Sequence, residues 1–110
     1  MNREGGGPVC GSCQLADGPV SRMRGLLGRR DLPAGEGILL VPGGSVHTCF
    51  MRFAIDVVFL DRENRVVGTR SAVRPWRMAF ARGAKKTLEL ASGEVQRLGL
   101  SRGEQLVLAT

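Results

Sequence analysis

No run of apolar residues in this chain approaches the roughly 20 that a helix needs to cross a bilayer, so an integral helical membrane protein is excluded. Met1 to Pro8 is polar and glycine-rich, with no apolar segment behind Arg3. It therefore reads as a flexible lead-in rather than a secretory leader, and a cytoplasmic chain is expected. Like-charged residues never run to five or more, the pattern expected of a nucleic-acid tail. Tyrosine is absent, tryptophan occurs once at Trp76, and histidine occurs once at His47. With one histidine, only one side chain has an ordinary pKa near neutrality, and acid-base catalysis would need partners that the surrounding sequence does not arrange. Neither a strand-to-helix serine turn nor a phosphate loop is present, and the glycines of Gly35 to Gly37 and Pro42 to Gly44 lead into strands. No catalytic residue and no cofactor is therefore assigned.

What is present is enough for one core. At 110 residues the chain has the length of a single domain, and its 43% hydrophobic and 24% charged content is that of an ordinary globular protein. The charge is lopsided, 16 Lys plus Arg against 10 Asp plus Glu, giving +6, and arginine supplies most of it. Such a balance favours encounters with acidic partners. The arginines are spread from Arg3 to Arg102, so nucleic acid is a possible partner but not the favoured one.

Val9 to Thr110 reads as a single β-rich domain. A helix is expected from Pro19 to Gly28, where Val20, Met23, Leu26 and Leu27 recur at helical spacing. After Pro33 short β-rich runs alternate with turn residues, at Gly37–Val41, Ser45–Cys49, Asp56–Leu60, Arg65–Ser71, Lys86–Leu90 and Glu104–Leu108. Asp61-Arg62-Glu63-Asn64 should close a hairpin. A brief helix over Gly93–Leu98 would be capped by Ser92 and ended by Gly99. Since few gaps leave room for crossover helices, the expected fold is mainly β, an antiparallel sandwich or a jelly-roll-like, partly open barrel with one or two short helices. Its core would take Ile38, Leu40, Val57, Phe59, Val66, Leu88, Leu90, Leu98, Leu106 and Leu108.

A series of residues also resembles a known family. Arg22-Met-Arg24-Gly25-Leu26-Leu27, Leu32, Gly37-Ile38-Leu39-Leu40 and His47-Thr48-Cys49-Phe50-Met51-Arg52-Phe53-Ala54-Ile55-Asp56 running into Val57-Val58-Phe59-Leu60-Asp61 match, in order and spacing, the pattern of domain of unknown function family 192. Val66-Val67, Pro75, Leu88-Glu89-Leu90, Gly93, Gly99 and Gly103 continue it. The resemblance implies a compact β-rich domain of sandwich or jelly-roll type and brings no activity. Ala54 stands where a proline commonly precedes the apolar-Asp pair, and Cys49 where an aromatic is common.

Two constellations compete for a functional role. Cys10-Gly-Ser-Cys13 with His47 and Cys49 makes a chemically sound Cys3His set for zinc, the alternative being that these are packing residues. Asp56 heads an apolar strand where a bare carboxylate is costly to bury, so a guanidinium of Arg22 or Arg24, or turn amides, should satisfy it. Arg74-Pro-Trp76-Arg-Met-Ala-Phe interleaves basic and aromatic groups, and Phe50, Met51 and Phe53 form a second apolar cluster. Such residues are enriched at the centres of interfaces, or else cover the ends of a sandwich. The leading expectation is a non-enzymatic binding or accessory module using the loop face from His47 to Asp56 with the Arg74–Arg82 segment. Its candidate residues are Arg22, Arg24, His47, Met51, Asp56 and Trp76, and its partner a protein, a peptide or a small anionic ligand. The alternative is a small metal-binding or enzymatic domain on Cys10, Cys13, His47 and Cys49.

Overall fold

The structure is a computed structural model that describes residues 2–3, 12–16, 36–40, 45–47 and 53–107, with side chains described for 37–40 and 53–107. Its elements in order are β1 (Asn2–Arg3), β2 (Ser12–Ala16), β3 (Glu36–Leu40), β4 (Ser45–His47), β5 (Ile55–Leu60), β6 (Val66–Val73), β7 (Met78–Phe80), β8 (Lys86–Ala91), α1 (Glu94–Leu98) and β9 (Leu106–Val107). Five strands form one sheet in the order β2-β3-β8-β5-β6. Two ribbons, β1-β9 and β4-β7, accompany it. Every pair is antiparallel except β2 with β3, and the sheet does not close into a barrel. The mainly-β, antiparallel expectation holds, with one parallel pair that periodicity did not announce.

The core explains why β5 reads Ile-Asp-Val-Val-Phe-Leu with no alternation. All six residues are buried, because the sheet is covered on both faces and a strand in that position has no wet side. On one face Leu39, Val58, Leu60, Val66, Leu88 and Leu90 meet Val95, Leu100 and Leu106. On the other, Ile38, Leu40, Ile55, Val57 and Phe59 meet Ala79 of β7, with Phe53, Val67, Val73, Ala81 and Ala84 at the margin. Each such aliphatic or aromatic side chain contributes about 1.5–3 kcal/mol on leaving water. Of the core expected from sequence, Leu98 is only partly buried and Leu108 lies outside the described residues, while Leu39, Ile55, Val58 and Leu60 are added.

The Asp61–Asn64 hairpin forms as expected. Asp61 accepts the amides of Glu63 and Arg65 at 2.9 Å through Oδ1, and Asn64 takes the left-handed backbone that the turn needs, with φ 67°. Lys86 donates to the Asn64 side chain at 2.7 Å, tying the turn to β8. The expected helix over Pro19–Gly28 and the Pro42–Gly44 turn lie outside the described residues. Asn2 and Arg3, in the stretch expected to be a flexible lead-in, pair with Val107 and Leu106.

The short helix is present, and its C-terminus ends as expected at Gly99 in the left-handed region, φ 63°. Its N-terminus differs from expectation. The cap position is Gly93 rather than Ser92, at φ 95°, and no side chain at the cap closes the turn. Asp56 does so from the sheet: Oδ2 accepts the amides of Gly93 at 3.0 Å and Val95 at 2.8 Å. These are two of the amides that a helix start leaves without an intrahelical acceptor. A carboxylate there also complements the positive end of the helix.

Candidate functional site

The β5–β6 ladder carries a bulge where Ile55 pairs with Val73 and Val57 with Arg70. The bulge places one extra residue in β6, and Ala72 takes φ 52° with its amide donated to Asp56 Oδ1 at 2.8 Å. Past the bulge the chain reverses through Pro75 and Trp76. Proline presets the first central torsion of a tight turn, and Trp76 at φ 64° supplies the positive second one, the φ pattern of a type II turn. A bulky L-residue held there costs about 1–2 kcal/mol. The reversal delivers β7, whose Ala79 is buried against the sheet while Met78 and Phe80 stand exposed.

Between β6 and β7 lies an open cleft of about 560 Å³, lined by Arg70, Ala72, Val73, Arg74, Arg77, Met78, Ala79 and Phe80. Three of these lining residues are arginines, and none of the described lining residues is acidic. Trp76, Met78 and Phe80 are 58%, 77% and 71% exposed. That is a large apolar exposure for one short segment, and it is set among cations. Guanidinium forks bind carboxylate or phosphate in two-pronged fashion, and adjacent Met and Phe surface accepts the apolar part of a ligand.

The sheet face that carries the cleft also carries a buried acid. Glu89 of β8 is paired with Ile38 on one side and Val57 on the other, and Val57 is in turn paired with Arg70. Residues directly opposite share a face, so Glu89 and Arg70 lie in one cross-strand row, two strands or roughly 10 Å apart at the backbone. Burial alone raises the Glu89 carboxyl to about 7.

Three of the six residues expected to form the site, His47, Asp56 and Trp76, lie among the described residues. His47 is in β4, opposite Met78 of β7, so the strand that begins the His47–Asp56 stretch does meet the Arg74–Arg82 segment. Trp76 is not among the lining residues of the cleft but lies in the turn between Arg74 and Arg77, which are. Asp56 is buried and gives both carboxylate oxygens to backbone amides, which fulfils the turn-amide alternative for its burial. Arg22, Arg24 and Met51 lie outside the described residues, as do Cys10 and Cys49. Cys13 and His47 belong to different sheets, in β2 and β4. No group of three metal-ligating side chains occurs among the described residues. Nor is any helix among them long and apolar enough to cross a membrane. Arg70 was not singled out from sequence. It sits in a β-run with no aromatic neighbour, and only the bulge brings it beside the turn.

The family model for DUF192, described as an uncharacterized ACR, matches residues 2–108. The chain belongs to the DUF192 family. A UPF0127 protein of Pyrococcus furiosus is 34% identical over 99 residues, covering 84% of this chain and 83% of its own length. A UPF0127 protein of Thermococcus sibiricus is 30% identical over 112 residues, covering 96% and 71%. Among solved structures, a protein of unknown function from Novosphingobium aromaticivorans superposes with a TM-score of 0.79 at 22% identity, covering 87% of this chain and 74% of that one. A candidate transcription regulator from Sinorhizobium meliloti gives 0.76 at 25% identity, covering 84% and 78%. These comparisons place the fold in bacteria and archaea alike.

Proposed function

We propose that this DUF192 chain is a non-enzymatic binding module whose site is the β6–β7 cleft and whose ligand is anionic. The observation that carries the reading is that Arg70, Arg74 and Arg77 all line one concavity with no acidic residue among its described lining residues. The strained Trp76 backbone supports it, since such torsions persist chiefly where a site over-determines them.

The test uses the chain's single tryptophan, next in sequence to Arg77 of the cleft, as its reporter. Inorganic phosphate and glutarate, titrated separately while Trp76 emission is followed, should each give a saturable change. Arg74→Ala and Arg77→Ala should each weaken it by about tenfold or more, the range for hydrogen bonds to charged groups. Both arginines are exposed, so fold stability should hold within about 0.5 kcal/mol. An unsaturable response, or equal affinity in both variants, rejects the site. The Sinorhizobium relative's description raises DNA as a competitor. Duplex DNA that bound far more tightly than either small anion, with affinity collapsing as salt rises, would replace the reading with a nucleic-acid one.

A further inference from the structure

β6 is an edge of the five-stranded sheet. A strand at an edge leaves alternate amides and carbonyls facing away from its neighbour, a template for one more strand. At its start β6 is occupied: Val66 donates to the Glu104 carbonyl at 2.8 Å and accepts from Gly103 at 2.7 Å. At its end the bulge turns the Ala72 amide inward to Asp56. From Val67 to Ser71 no backbone hydrogen bond outside the β5–β6 ladder is made among the described residues. Among the described residues, then, this five-residue stretch of edge, roughly 17 Å at strand rise, has no further strand against it. It runs directly into the cleft, and Arg70 belongs to both.

We propose that β6 receives an extended acidic peptide as an added strand. Its backbone pairs with the Val67–Ser71 edge, its alternate carboxylates meet Arg70, Arg74 and Arg77, and the apolar residues next to them lie on Met78 and Phe80. The proposal rests on the anion-binding reading and names the partner class. Strand addition gains affinity from main-chain hydrogen bonds and specificity from every second side chain. The edge supplies the first and the arginine-lined cleft the second. Charge complementarity points to acid, since the described lining includes three arginines and no carboxylate and the chain carries +6. Exposed Trp76, Met78 and Phe80 among arginines would also suit an anionic bilayer surface. A cleft beside an open strand edge is shaped for a chain rather than a plane, and the peptide is favoured for that reason.

The probe is a capped heptapeptide of alternating glutamate and valine, with two further versions N-methylated at alternate amides in the two possible phases. Calorimetry with the full chain should show the parent peptide binding on the order of tenfold or more tighter than inorganic phosphate. One N-methylated version should lose most of that gain and the other keep it, because only one edge of the peptide pairs with β6. Amide resonances of Val67–Ser71 should shift most on addition of the parent. Equal binding by all three peptides, or no gain over phosphate, overturns strand addition while phosphate binding leaves the anion site standing. Loss of both phosphate and peptide binding rejects the site itself. Binding to phosphatidylglycerol–phosphatidylcholine vesicles without peptide binding overturns the peptide in favour of a membrane surface.

Discussion

The Asp56 carboxylate in β5 accepts the amide of Val95, 39 residues further along the chain, at 2.8 Å. With the bonds to Gly93 and Ala72, one buried side chain holds the start of α1 and the bulge of β6 together. Hydrogen bonds to a charged acceptor are worth about 1.5–3 kcal/mol each, and a neutral amide side chain offers only one acceptor. Asp56→Asn should cost about 2–3 kcal/mol in urea unfolding, and Asp56→Ala more. Phosphate affinity in the folded fraction should stay unchanged, whereas a tenfold loss would give Asp56 a share in the cleft.

Ser92 is exposed and is not the cap. Ser92→Ala should therefore change stability by less than about 0.5 kcal/mol, where loss of a true serine cap costs typically about 1 kcal/mol. Gly93→Ala forces a Cβ into the left-handed region at φ 95° and should cost about 1–2 kcal/mol. The pair of melting curves separates a cap supplied from the sheet from one supplied locally.

Glu89 makes stability depend on pH in the direction opposite to a salt-bridged carboxylate. Its folded pKa of about 7 lies above the ordinary 4.5, so the native state holds the proton more tightly than the unfolded chain does. The favourable contribution is complete below about pH 4.5, is lost as pH rises towards 7, and stays lost above it. Glu89→Gln removes that slope. Measured against the parent chain, the variant should gain about 3 kcal/mol between pH 4.5 and 8. A flat difference across the range would show that the carboxyl ionises without cost.

Trp76 holds a backbone torsion that costs stability. Trp76→Gly relieves the positive φ, and because the ring is more than half exposed little burial is lost. The melting temperature should hold or rise, while calorimetric affinity for phosphate or peptide falls. A falling melting temperature would mean that the ring packs more of the fold than its exposure indicates.

Reading the sequence for alternation misjudged the sheet where it is covered twice. Ile38, Leu40, Val57 and Phe59 were legible as one buried face, but Leu39 and Val58 occupy the other, and Val-Val-Phe-Leu offers no polar residue to mark it. β7 was not legible as a strand: it is three residues long, and two of them turn large apolar side chains to solvent, the reverse of the pattern that announces a strand. The remote cap was equally hidden, since local sequence offered Ser92 at the right place and nothing near Gly93 named Asp56. The Arg74–Phe80 segment was legible as a surface from its composition alone. Its partner Arg70 was not, because a strand bulge decides where that side chain emerges.

The strand order has a consequence for how the domain opens. β8 and β5 lie in the interior of the sheet, each with paired neighbours on both edges and apolar layers on both faces, so their amides can meet solvent only when both layers part together. Deuterium should enter β5 and β8 last and at rates set by global unfolding, whereas the outward amides of β6 should exchange through small local fluctuations. The two halves of the core cannot melt separately, yet the margin where a ligand would dock stays pliable without loosening either.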